Sequence, residues 1–237
     1  MQLPETLDGW LNVLEARHTQ TIQLGLDRVR AVRDALQLPQ TCPVITVGGT
    51  NGKGSTCALL ESVLLAAGYR VGVYTSPHLL RYNERVRIDG RDAPDALLVD
   101  AFGEVERARG EIPLTYFEHG TLAAWAAFSR SGLDAIILEV GLGGRLDAVN
   151  VFEPDCAIVT SVAMDHMDFL GDTREAIGFE KAGIFRGGRP AICSDPMPPE
   201  SLIAHAEAIG ANLWVSGRDF GFSGDQNQWA FWIAGGS

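Results

Sequence analysis

The stretch Gly48-Gly49-Thr50-Asn51-Gly52-Lys53-Gly54-Ser55-Thr56 constrains this chain more than any other. The β-branched run Val44-Ile45-Thr46-Val47 precedes it and reads as a buried strand. Good helix formers from Ser55 to Ala67 follow, with Gly68 placed to stop the helix. Strand, glycine-rich turn and helix in that order are the setting of a phosphate loop. The glycines let backbone N–H groups approach phosphate oxygens, and the helix N-terminus adds a positive dipole end. Lys53 supplies a mobile point charge, expected to face solvent until a ligand arrives. The common Walker pattern would have Gly at position 47 and a hydroxyl residue after the lysine. Val47 and Gly54 stand there instead, so a metal ion needs its ligands from elsewhere.

Further strands are expected at Val71–Tyr74, Val86–Ile88, Ala135–Leu138, Ala157–Thr160 and Pro190–Cys193. Helical patterns cover Leu7–Leu36 with a break at His18–Leu24, then Ala96–Arg107, Gly120–Ser129, Thr173–Phe185 and Pro199–Ile209. The strands are continuous apolar runs that alternate with helices, the pattern of a parallel sheet covered on both faces. The expected fold is α/β, mostly parallel, with the character of a P-loop NTPase.

Charge narrows the partners. The chain carries 19 Lys plus Arg against 30 Asp plus Glu, a net charge of −11. It has no basic field to attract nucleic acid, so anion binding falls to a local site. No apolar stretch is long enough to span a membrane, and no signal peptide precedes the first helix. Cys42, Cys57, Cys156 and Cys193 form no C-x-x-C pair, so they read as free thiols in a reducing compartment, with the cytoplasm expected.

Three residues sit where a metal could be held. Glu139 ends the run Ile136-Ile137-Leu138, at the carboxyl end of a strand, where open α/β sheets bind ligands. His166 follows the strand Ala157–Thr160, and Ser76 follows Val71–Tyr74. By position alone, a solvent-facing or hydrogen-bonded histidine and a turn serine before Pro77 are the better readings of the last two.

Taken together, VGGTNGKGS (Val47–Ser55), YTSPHL (Tyr74–Leu79), YNERV (Tyr82–Val86), LTYFEHG (Leu114–Gly120), LEVGLGGRLD (Leu138–Asp147), DHMDFLG (Asp165–Gly171) and EKAGIF (Glu180–Phe185) resemble the folylpolyglutamate synthase and dihydrofolate synthase family of the Mur ligase superfamily. The bacterial bifunctional form resembles it most. The resemblance implies a Mur ligase central domain that uses ATP to add L-glutamate to dihydropteroate or a reduced folate through an acyl phosphate. It implies that Thr50, Asn51, Gly52, Lys53, Gly54 and Ser55 hold ATP phosphates, and that Ser76, Glu139 and His166 hold Mg2+. Lys181 resembles the superfamily's carbamylated lysine, which assists a second Mg2+. Thr115, Tyr116, Phe117 and Glu118, with Leu146, Asp147 and Ala148, resemble the pterin walls, and Ile22–Gly25 a piece that closes over them. Lys53, Lys181, Glu139 and His166 are the expected catalytic set, in an enzyme expected to act as a monomer.

Residues 1–224 are expected to form the ATP-binding domain and 225–237 to begin further structure, the family's C-terminal domain being absent. A cell-wall ligase of the same superfamily is one alternative; it would need a uridine-nucleotide pocket in place of a flat aromatic one. An inactive nucleotide-binding fragment is the other.

Overall fold

The computed structural model describes residues 3–17, 23–225 and 227–235. Its elements run α1 (Leu7–Arg17), α2 (Asp27–Leu36), β1 (Val44–Gly48), α3 (Lys53–Ala66), β2 (Val71–Tyr74), β3 (Val86–Ile88), β4 (Arg91–Asp92), α4 (Asp95–Arg109), α5 (Tyr116–Ser129) and β5 (Ala135–Glu139). They continue β6 (Cys156–Val159), α6 (Met167–Leu170), α7 (Arg174–Ala182), β7 (Pro190–Cys193), α8 (Glu200–Ile209), β8 (Asn212–Val215), β9 (Phe220–Gly224) and β10 (Trp229–Ile233). Short 3₁₀ turns lie at Tyr82–Arg85 and Ala148–Val151.

The main sheet has the order β4-β3-β2-β5-β1-β6-β7-β8. The run from β2 to β8 is parallel, and β3 and β4 add an antiparallel edge. Side chains alternate between two apolar layers. Val71, Val73, Ile137, Val47 and Ile158 meet α3 through Cys57, Leu60 and Leu64. Tyr74, Ile136, Leu138, Val44, Ala157 and Val159 belong to the larger layer formed with α1, α2, α4, α5, α7 and α8. Both faces of the inner strands β2, β5, β1 and β6 are therefore dry, which is why these read as unbroken apolar runs.

Two strands gave no such run. The edge strand β8 is mostly exposed along Asn212, Leu213 and Trp214, and β4 is only two exposed residues. An edge strand needs to be apolar on neither face, so periodicity does not find it. The expected division after residue 224 falls at the turn between β9 and β10, which pair antiparallel from Phe220–Ile233 to Gly224–Trp229.

The register fixes the site. Val47 of β1 lies beside Glu139 of β5, and Gly48 lies beside Val159 of β6. From β1 the chain crosses to β2 on one side, while β6 lies on the other. The phosphate loop thus leaves the sheet at its topological switch point, where the strand ends open a crevice.

Candidate active site

Conformational freedom of glycine is required at two points of the loop. Gly49 has φ +141, and a Cβ on it would lie 1.9 Å from Thr160 Oγ1. Gly52 has φ +84 and caps α3, which begins at Lys53. The helix therefore starts two residues earlier than its composition suggests, and the first-turn N–H groups of Lys53, Gly54 and Ser55 are left for a ligand. Lys53 is half-buried and does not face solvent as expected. Its ammonium folds back onto the loop, donating to the carbonyls of Gly49 at 3.0 Å and Thr50 at 3.4 Å.

Beside the loop, Glu139 is buried, with 4% of its surface exposed. Its Oε2 accepts the Ser76 N–H at 2.9 Å, so strand ends β2 and β5 meet there. A Cβ on Gly54 would lie 3.9 Å from Oε1. The residue that replaces the usual hydroxyl thus leaves space against this carboxylate. Burial raises the Glu139 pKa, with the Ser76 N–H and the Lys53 charge opposing it. Among the described residues the carboxylate has no salt-bridge partner. A buried, unpaired, hard oxygen donor next to a phosphate loop fits a divalent cation. No cluster of three or more His, Cys, Asp or Glu among the described residues is placed to hold one, so such an ion would draw on other donors, phosphate oxygens included.

A cavity of ≈ 450 Å³ runs from the loop across the strand ends. It is lined by Thr50 and Lys53 at one end, by Ser76 and His166 beside them, and by Thr115, Phe117, Glu118, Leu146, Asp147 and Ala148 farther along. His166 is held at φ +47 and is half-exposed, with Nε2 3.7 Å from an Asp165 carboxylate oxygen. Thr115 caps α5: its Oγ1 accepts the Glu118 N–H at 3.1 Å, and Glu118 Oε2 accepts the Thr115 N–H at 2.7 Å. Arg28 donates to Glu118 at 2.8 Å, which turns this buried carboxylate into a fixed wall. Asp147 accepts the N–H groups of Leu142 at 2.8 Å and Val149 at 3.0 Å, while complete burial pushes its pKa up to about 6.

Several expected residues stand apart from the cavity lining. Asn51, Gly52, Gly54 and Ser55 belong to the loop backbone, and Glu139 lies behind Ser76. Tyr116 is outside the lining, its ring packed against Tyr82 and against Arg85, which does line the cavity. Lys181 lies in α7 with 3% exposure; burial, and then the Lys53 charge, lower its pKa to about 8, against the pull of Asp165. Ile22 lies outside the described residues, while Gln23, Leu24 and Gly25 do line the cavity, Gly25 donating to the Leu146 carbonyl at 3.4 Å. Arg85, Gly141, Leu142 and Asp165 also line it and escaped sequence reasoning, although each lies inside a quoted motif. The signal in those motifs was spent on their neighbours.

A model of the Mur ligase middle domain matches residues 47–219. A dihydrofolate synthase/folylpolyglutamate synthase of Escherichia coli strain K12 is 52% identical over all of this chain and 56% of its own length. Its counterpart in Haemophilus influenzae is 52% identical over 96% of the chain and 52% of its length. The structure of E. coli FolC in complex with DHPP and ADP superposes with a TM-score of 0.95 at 51% identity, covering 99% of this chain and 57% of that one. The chain belongs to the Mur ligase middle-domain family, within its dihydrofolate synthase/folylpolyglutamate synthase branch. It spans about half the length of the curated relatives it matches.

Proposed function

We propose that this chain is the ATP-binding part of an enzyme that joins L-glutamate to dihydropteroate or to a reduced folate. One observation carries the reading. A single cavity runs from a phosphate loop to a wall built of Phe117 and the buried carboxylates Glu118 and Asp147. Phosphates fit one end of it and a flat, hydrogen-bonding heterocycle fits the other. Relatives support it: one solved structure is a bifunctional folylpolyglutamate synthase/dihydrofolate synthase with Mn, AMPPNP and L-glutamate bound, and covers 99% of this chain at a TM-score of 0.92.

A carboxylate is a poor acylating agent because oxide is a poor leaving group. Transfer of the γ-phosphoryl group to it gives an acyl phosphate, and attack by the glutamate amine then releases phosphate. Here Thr50 to Ser55 form the phosphate cradle: Thr50 and Asn51 give their N–H groups to Ser161 and so fix the loop, which leaves the N–H groups of Gly52, Lys53, Gly54 and Ser55 for the phosphates. Lys53 leaves the Gly49 and Thr50 carbonyls to meet the transferring group, a task of positioning and charge neutralisation. Asp147 and Phe117 orient the heterocycle so that the carboxylate at the substrate's other end points at the loop. Ser76, Glu139 and His166 would hold Mg2+, which supplies neutralisation of phosphoryl charge when bound. On this reading Lys181 accepts carbon dioxide, because an amine with a pKa near 8 is partly neutral at physiological pH. The resulting carbamate would serve a second Mg2+. The enzyme is read as a cytoplasmic monomer with no nucleic-acid partner.

The test is formation of labelled dihydrofolate from dihydropteroate, ATP and labelled L-glutamate by the complete product of the gene. Product that depends on all three supports the reading. A complete product that instead ligates an amino acid to a uridine-nucleotide acceptor moves the enzyme to the cell-wall branch.

A further inference from the structure

Val162 sits between β6 and the Asp165-His166 stretch, and its backbone is held from two sides. Its N–H donates to Asp195 Oδ2 at 2.9 Å, and its carbonyl accepts from Arg174 Nε at 2.8 Å. Arg174 Nη2 donates to the same Asp195 oxygen at 3.0 Å and to the Met197 carbonyl at 3.0 Å. Asp195 Oδ1 accepts the Met197 N–H at 3.0 Å. The ring of bonds is closed: two side chains grip the backbone N–H and carbonyl of one residue, and each other. Asp195 is buried, and neither side chain lines the cavity.

The other edge of the same segment is bonded to the phosphate loop. Thr50 N–H donates to the Ser161 carbonyl at 2.8 Å, and Ala163 N–H donates to Thr50 Oγ1 at 3.1 Å. Asn51 N–H donates to Ser161 Oγ at 3.1 Å, and Thr160 Oγ1 donates to the Asn51 carbonyl at 2.7 Å. Residues 160–163 are therefore a splint, with the loop on one side and the Arg174–Asp195 pair on the other. Two residues beyond it, Asp165 and His166 enter the cavity lining.

We propose that Arg174 and Asp195 are positioning residues that hold the phosphate loop in its nucleotide-binding shape through Val162. The inference rests on the reading of that loop as a nucleotide site. A loop that binds through backbone N–H groups loses affinity when its own geometry must be ordered at the moment of binding. The clamp removes that cost in advance. It comes from α7 and from the stretch after β7, distant in sequence from the loop, so motif matching does not reveal it.

The test uses the 237-residue chain with ADP and Mg2+ as the probe, together with amide hydrogen exchange in the free protein. Arg174→Met removes the bonds to Val162 and Met197 while leaving Asp195 with its two backbone donors. ADP binding by calorimetry is expected to weaken about tenfold or more, the scale of a lost charge-assisted bond. The amides of Thr50, Asn51 and Ala163 are expected to exchange faster while that of Ile137 in the central strand is unchanged. Arg174→Lys is expected to recover part of both effects. A general loss of stability would instead accelerate exchange at Ile137 as well, and would overturn the proposal. So would parent-like ADP affinity and loop exchange in Arg174→Met. Should that variant melt below the assay temperature, Arg174→Lys and Asp195→Asn decide by the same two readouts. If the parent binds no ADP, the nucleotide reading fails, while the exchange of Thr50 and Ala163 still tests the clamp.

Discussion

At the scale of single residues, the site is a set of charges placed where water is scarce. Lys53 can reach phosphate only by giving up two carbonyl contacts, at 3.0 and 3.4 Å, that add little to the fold. Lys53→Ala is therefore expected to leave the melting temperature within a few degrees of the parent. It should weaken ADP binding about a hundredfold, as expected for a desolvated charge–phosphate contact; calorimetry and thermal melts check both. Lys181 is a different case. Its pKa is about 8 in the folded chain against ~10.4 unfolded. Below about pH 8 both states are protonated and the burial penalty is fully present. Between the two values the unfolded state binds more protons, so stability rises with pH there. Lys181→Met should remove that rise and stabilise the unmodified protein near neutral pH by roughly 3 kcal/mol, following ~1.4 kcal/mol per pKa unit. Denaturant melts from pH 6 to 10 measure it. Parallel pH profiles for parent and variant would count against a buried ammonium at this position.

At the scale of elements, the carboxyl ends of β1, β2, β5 and β6 do the positioning. Gly49 has a φ that side chains avoid and has Thr160 directly against it. Gly49→Ala should destabilise the fold by about 2 kcal/mol from backbone strain and a displaced Thr160. It should also weaken nucleotide binding, which melts and an ADP titration would show. An alanine variant as stable as the parent would mean that the loop takes another path. Much at this scale was legible in the residues. Val71–Tyr74 coincides with its strand because two dry faces demand an apolar run, and Val86–Ile88 and Pro190–Cys193 coincide with theirs although each is only partly buried. The helix start at Lys53 was not legible, since Gly52 and Gly54 have poor helix propensity and only the ladder of bonds from Gly52 onward decides it. Nor was β8, an edge strand with exposed side chains. In the site, motif residues such as Ser76 and Glu139 stood out, and the structure joins them by one 2.9 Å bond. The Arg174–Asp195 clamp did not, because its two residues are brought together by the fold and not by sequence spacing, and Arg85 did not because its role depends on the cavity it lines.

At the scale of the whole molecule, the crevice at the switch point makes one cavity out of two chemistries. The strand order puts β5 and β6 on either side of β1, so the phosphate loop, Glu139 and the Thr160–Ala163 splint share one rim. The wall of α5 and the Leu146–Ala148 turn closes the far end. The 237 residues are expected to fold and to bind ADP, since the loop, the sheet and its covering helices all lie within them. A thermal melt and an ADP titration check both, and a chain that melts cooperatively yet ignores ADP would contradict the reading of the loop.

On the proposed function, ATP held by the phosphate loop transfers its γ-phosphoryl group to the carboxylate of the substrate bound in this cavity. Oxygen labelling tests it most directly. Dihydropteroate carrying ¹⁸O in its carboxylate is incubated with ATP, L-glutamate, Mg2+ and the complete gene product, and the released phosphate is analysed by mass. A carboxylate oxygen that attacks the γ-phosphorus stays with phosphate when the amine displaces it. The account therefore predicts one ¹⁸O in each phosphate released with product. Product formed with unlabelled phosphate would contradict it.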